Sequence, residues 1–137
     1  MPLYDYLAEG NLDGMDLNCA ETILYGANAA YSMGLTKDVL RLSAGFGGGM
    51  SVEDTCGIVT GGVMVLSELF VKDHGHEGPR IKELTAEWFK RMNEVFSSTN
   101  CASLKAKYRT PERGCGDLIL NAAKILDEIV ERESARD

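Results

Sequence analysis

The sequence predicts an all-α fold: a single-domain helical bundle of about four to six helices over residues 1–137, with its core over about 17–132. Three observations predict it. Apolar residues recur at helical spacing almost throughout, and no run alternates with the period of a strand. Good N-cap residues stand before the periodic segments at Asn18, Thr36 and Asn100. A chain of 137 residues, 45% apolar and 26% charged, has the size and balance of one globular domain. Such a domain buries roughly two-thirds of its unfolded surface without disulfide staples.

The first strong helix is predicted from about Cys19 to Met33. Asn18 caps it, and Glu21, three residues on, completes a capping box. Cys19, Ile23, Ala27, Ala30 and Tyr31 share one face, and Gly34 stops the helix. Thr36 caps a short second helix through Val39, Leu40 and Leu42. Gly45, Gly47, Gly48 and Gly49 around Phe46 then read as a loop, because each glycine inside a helix costs about 1 kcal/mol against alanine. The third helix is predicted from about Asp54 to Val71, capped by Ser51 or by Asp54. It carries Gly57, Gly61 and Gly62. Gly57 and Gly61 line one face, which suits close approach of another helix, with room for a cofactor as the alternative.

His74, Gly75, His76 and Gly78 form a polar linker, and Pro79 suits a first helical turn. The fourth helix runs to about Phe96 with Ile81, Leu84, Trp88, Met92 and Val95 as its inward stripe. Asn100 caps a short helix from Cys101 to about Tyr108, which Thr110 and Pro111 interrupt. The last helix runs from about Gly114 to Arg132, with Leu118, Ala122, Ile125, Leu126 and Ile129 inward. The charged tail from Glu133 reads as frayed.

Acidic residues outnumber basic ones 21 to 14, for a net charge of −7. Phosphate backbones repel such a chain, so no nucleic-acid partner is expected. Met1 to Asp16 shows neither the basic nor the apolar segment of a signal peptide. The longest nearly apolar stretch, Cys56 to Val71, contains Glu68 and is too short for a membrane span. The expectation is a cytoplasmic protein without membrane insertion, whose apolar helix faces are compatible with a homodimer.

The functional signal is the set of four cysteines, Cys19, Cys56, Cys101 and Cys115. In a reducing compartment, metal or redox chemistry is favoured over a disulfide framework. No C-x-x-C pair is present, so spacing alone says little. Position says more: each cysteine falls in the first turn of a predicted helix. Free N–H groups and the helix dipole there stabilise a thiolate, which is both a nucleophile and a soft-metal ligand. In a bundle, four helix starts can converge at one end. The plain alternative is four unrelated small core residues.

Lys105, Lys107, Arg109 and Arg113 form the only basic concentration, between Cys101 and Cys115. They would stabilise thiolates or an anionic cluster; the alternative is a solvated loop. Gly47, Gly48, Gly49 and Gly57 flank Cys56 and are the candidate cofactor-binding backbone. The glycine loop is followed by no Gly-Lys-Ser/Thr and preceded by no strand, so it is not read as a nucleotide site. His74 and His76 read as an exposed polar loop, with a metal pair as the alternative.

The order Asn18-Cys19-Ala20, Gly45-Phe46-Gly47-Gly48-Gly49-Met50, Cys56-Gly57-Ile58-Val59-Thr60-Gly61, Cys101-Ala102-Ser103-Leu104 and Cys115-Gly116-Asp117-Leu118-Ile119 resembles the small family named for its C-GCAxxG-C-C pattern. The resemblance covers about residues 17 to 130. One departure is Ile58, where the family motif usually has alanine; no sulfur is lost by it. The resemblance implies redox activity based on the cysteines. A similar four-cysteine domain in split-Soret-type cytochromes looks like an iron–sulfur site. No CXXCH haem-attachment motif occurs here, so haem is not implied.

Three readings follow. In the first, Cys56 is the reactive centre of a small redox protein, an oxidoreductase or electron carrier. Cys19, Cys101 and Cys115 are then resolving thiols, and the redox partner is a protein or small molecule. In the second, the four cysteines hold a metal, an iron–sulfur cluster before zinc. In the third, the chain is a non-catalytic helical interaction module. Convergence or scatter of the four sulfurs separates the first two from the third.

Overall fold

The computed structural model describes residues 1–137. Seven α-helices follow one another: α1 (Leu3–Ala8), α2 (Cys19–Ala30), α3 (Lys37–Leu40), α4 (Gly57–Phe70), α5 (Arg80–Phe96), α6 (Cys101–Tyr108) and α7 (Gly116–Arg136). No strand forms, and β pairing is confined to two isolated bridges, Thr55 with Asn100 and Thr110 with Gly114. The all-α expectation holds. No helix is long and apolar enough to cross a membrane.

The bundle centres on α2 against α4. Gly57 and Gly61 face α2, and a Cβ at Gly61 would lie 3.0 Å from the Ala20 carbonyl oxygen. The missing side chains therefore let two backbones touch, as the glycine spacing predicts. On the other side of α4, a Cβ at Gly62 would meet the Trp88 indole at 2.4 Å. Trp88 is fully buried, and its indole N–H donates to the Val59 carbonyl at 2.9 Å. This satisfies the one polar atom of the largest core residue. The inward stripe of α7, from Leu118 to Ile129, closes the core.

Helix α1 is absent from the sequence reading because six residues cannot hold a helix by themselves. Tertiary contacts hold it. The Asp127 carboxylate on α7 accepts from the N–H groups of Leu3 at 2.6 Å and Tyr4 at 2.9 Å, and from the Tyr31 hydroxyl at 2.5 Å. A carboxylate from α7 thus caps the first turn of α1, while Leu3 is buried beneath it.

Four local expectations are corrected. Helix α2 stops at Ala30, because Ser32 and Gly34 take positive φ values of 53° and 73° and Asn28 accepts from the Leu35 N–H. Helix α4 starts at Gly57, not Asp54: residues 53–56 are drawn into pairing with 99–101, and neither Ser51 nor Asp54 caps the helix. Val95 points outward at 58% exposed, and Phe96 takes the inward place. Helix α7 runs on to Arg136, because Glu133 is buried and bonded by Arg80, Arg132 and Arg136, so the tail is not frayed.

Candidate functional site: a four-cysteine cavity

Each cysteine stands at the start of a helix. Cys19 opens α2 and Cys101 opens α6, while Cys56 and Cys115 occupy the N-cap positions of α4 and α7. Asn18 forms the full capping box with Glu21 in front of Cys19, and Asn100 accepts from the Ser103 N–H in front of Cys101. All four side chains line one cavity of about 410 Å³. The sequence separations between them are thus closed by the fold.

Two sulfur-bearing segments are brought together by backbone bonds. The Cys56 N–H donates to the Thr99 carbonyl at 2.8 Å, and the Cys101 N–H donates to the Asp54 carbonyl at 2.5 Å. The Asn100 side chain also donates to the Glu53 carbonyl. These bonds flank the Thr55–Asn100 bridge and hold Cys56 beside Cys101. The second bridge, Thr110 with Gly114, closes the turn that delivers Cys115.

The glycine loop divides into distinct roles. Gly48 and Gly57 line the cavity. Gly47 lies against Asn18, whose side chain donates to the Ala44 carbonyl. Gly49 is wedged where a Cβ would sit 2.4 Å from the Asp54 nitrogen and 2.8 Å from Cys101 Cβ. Gly47 and Gly49 therefore do not line the cavity; they shape the backbone beside it. Beyond them the chain makes a left-handed turn in which Met50, Ser51 and Glu53 all have φ near +60°. Each such residue costs about 1–2 kcal/mol, so the surrounding contacts must enforce the turn.

The expectation of stabilised thiolates is corrected at Cys19, Cys56 and Cys101. Burial pushes the Cys19 thiol up to about 12, and the neighbouring Cys115 sulfur adds to it. Burial also raises Cys56, against the downward pull of the Ile58 and Val59 N–H groups, and Cys101, against Lys105 and Arg109. Desolvation outweighs the helix N-termini here, because the same convergence that gathers the sulfurs removes them from water. Cys56 is 4% exposed and Cys101 6%, whereas Cys19 and Cys115 are half-buried. Cys19 and Cys115 are thus the more exposed two of the four. None of the four is in a disulfide.

Lys105, Arg109 and Arg113 also line the cavity, while Lys107 turns away onto the Tyr108 ring. A single tetrahedral ion, with metal–sulfur distances of about 2.3 Å, would need its ligands in a tight knot. No three His, Cys, Asp or Glu side chains are grouped that closely. His74 and His76 are exposed; His74 bonds Asp73 at 2.6 Å.

The model of the family described as "Putative redox-active protein (C_GCAxxG_C_C)" matches residues 17–129. No curated protein and no solved structure matches the chain significantly. The match covers most of the chain and all four cysteines, and the chain belongs to this family.

Proposed function

From that membership we propose that the four-cysteine cavity is a thiol–disulfide redox centre, with Cys115 as the attacking sulfur and Cys19 as the resolving one. The observation that carries this reading is that Cys19 and Cys115, which start helices at opposite ends of the sequence, line the same cavity, where the Cys115 sulfur is felt at the Cys19 thiol. Burial keeps the proton on Cys19, so Cys19 is assigned the resolving role and its neighbour Cys115 the attack. Cys115 attacks a disulfide of a redox partner and forms a mixed disulfide. Cys19 then displaces the partner. Two thiols become one disulfide, and their two electrons and two protons leave with the reduced partner. Cys56 and Cys101 lie deeper and serve as a second pair, or as a reserve into which the disulfide isomerises.

A second reading is favoured by one further observation: all four cysteines line a single cavity that Lys105, Arg109 and Arg113 also line. An iron–sulfur cluster spreads its ligands over several metal atoms and does not require the tight knot that one ion needs. Cys19, Cys56, Cys101 and Cys115 would hold it, and it would supply one-electron transfer. The cations would offset the thiolate charge.

One preparation separates the two. The protein is purified anaerobically, its metal content and visible absorption are measured, and its thiols are counted before and after a small disulfide is added. Colourless, metal-free protein that loses two thiols, mapped to Cys19 and Cys115, supports the exchange centre. Stoichiometric iron with charge-transfer absorption that vanishes in Cys→Ser variants replaces that reading with the cluster. Thiols that neither react nor hold iron sink both and leave a helical interaction module.

A further inference from the structure

The charge lining the cysteine cavity is opposite to that of the molecule. The chain carries 21 acidic residues and a net charge of −7, yet no carboxylate lines this cavity, and Lys105, Arg109 and Arg113 do. Two of the three are already engaged. Lys105 pairs with Glu53 at 3.3 Å, and Arg113 pairs with Asp117 at 2.8 Å, with both acids outside the lining. Arg109 has no ion-pair or side-chain hydrogen-bond partner, although it follows directly on α6, whose first residue is Cys101. Its charge is felt at the Cys101 sulfur. Apart from Asn18, the cysteines and backbone at glycines, the rest of the lining is apolar: Leu17, Leu104, Leu118 and Ile119. An apolar recess with a few convergent polar groups, at about 410 Å³, is of small-ligand size. The larger cavity of about 510 Å³ between α5 and α7 differs, since each of its arginines, Arg80, Arg132 and Arg136, is already paired with an acid.

We propose that the cavity takes a small disulfide bearing carboxylates, with the free guanidinium of Arg109 holding a carboxylate while the ligand's sulfurs lie against Cys115 and Cys19. This rests on the exchange reading above and names its substrate class. The Cys115 sulfur bonds to one ligand sulfur, and the ligand's S–S bond breaks. The departing half leaves as a thiolate and takes up the proton that Cys115 released. The Cys19 sulfur then bonds to Cys115, and the second half leaves as a thiol with the proton of Cys19. Two protein thiols are oxidised and one ligand disulfide is reduced to two thiols. Anion binding is supplied by Arg109, since a planar guanidinium matches a carboxylate bidentately.

The test compares three probes on the intact chain: glutathione disulfide, which is anionic, 2-hydroxyethyl disulfide, which is uncharged, and cystamine, which is cationic. Each rate of thiol loss is divided by the rate of the same probe with a small dithiol in solution, which removes differences in leaving group. The net charge of −7 by itself favours cystamine, so a preference for the anion can arise only locally. The expected order is anionic over uncharged over cationic. Arg109→Gln lowers the anionic-to-uncharged ratio roughly threefold, the scale of one partly exposed ion pair, and Arg109→Lys restores part of it. Added salt lowers the same ratio. If the uncharged and cationic probes react as fast as the anion and Arg109→Gln leaves the ratio unmoved, the substrate class is wrong while the exchange centre stands. If no probe oxidises Cys19 and Cys115, the exchange centre fails too.

Discussion

The side-chain amide of Asn18 donates to the backbone carbonyl of Ala44 at 2.9 Å. The same side chain accepts from the Glu21 N–H at 3.0 Å, so one residue both starts α2 at Cys19 and ties down the glycine loop. Asn18→Ala is expected to cost about 1–2 kcal/mol, the scale of a lost N-cap plus a neutral hydrogen bond. Asn18→Asp keeps the cap and loses only the donor, so it should cost about half as much. Urea midpoints of the two variants check this. Equal stability of Asn18→Asp and wild type would mean that the tie to Ala44 contributes nothing.

Gly48 and Gly49 make a matched pair. Both have φ near +60°, but a Cβ at Gly48 meets open space, while one at Gly49 would lie 2.4 Å from the Asp54 nitrogen. Gly48→Ala should therefore cost only the backbone term of about 1 kcal/mol. Gly49→Ala should cost at least about 3 kcal/mol, because backbone must move. That movement also loosens the bonds joining residues 53–56 to 99–101, so Cys56 and Cys101 should react faster with an alkylating reagent. Equal stability of the two variants would refute the wedge.

Much of this architecture is legible in the sequence because its causes are local. Asn18 and Asn100 announce α2 and α6 through caps, and Leu118 to Ile129 announce α7 through spacing. The glycines of α4 announce close packing because their missing side chains admit a neighbouring backbone. What escapes the sequence is tertiary. Helix α1 exists because Asp127, more than a hundred residues away, caps it. The start of α4 moves because Thr55 pairs with Asn100. The sign of the thiol shifts is also tertiary: the position of each cysteine on its helix can be read, but the depth of water exclusion at their meeting point cannot. Arg109 had a readable signal in the basic run, yet only the fold shows which of those cations is left without a partner.

Glu133 offers an acid-side prediction. It is 1% exposed, which by itself would raise its carboxyl, but hydrogen bonds from Arg132 and Arg136 more than offset this and hold it below the usual carboxylate range. A group lowered in the folded state contributes stability above its unfolded pKa, and that stability is lost as pH falls. Denaturant midpoints should therefore fall on going from pH 6 toward pH 3. Glu133→Gln should flatten that fall and cost about 2 kcal/mol at neutral pH, because the arginines lose their buried partner but keep some access to water. An unchanged acid slope in Glu133→Gln would assign the loss to other carboxylates.

Cys19 supplies the alkaline counterpart. Its thiol is raised from an ordinary 9.0 to about 12 by burial and by Cys115. A group raised in the folded state contributes stability that is fully present below its unfolded pKa and is lost as pH rises through the folded value. The window here lies between about 9 and about 12. Tyr31 is raised as well, by burial and by its bond to Asp127, and would add to the same loss, so the comparison belongs in a Tyr31→Phe background. There, the reduced protein should lose stability steadily above pH 9, and adding Cys19→Ala should make that slope shallower while Cys56 and Cys101 keep the remainder. Oxidising Cys19 to Cys115 should have the same effect as Cys19→Ala, because a disulfide has no proton to lose. If the slope is identical with and without the Cys19 thiol, that thiol is not buried against its neighbour, and the pairing that makes Cys19 the resolving sulfur is lost with it.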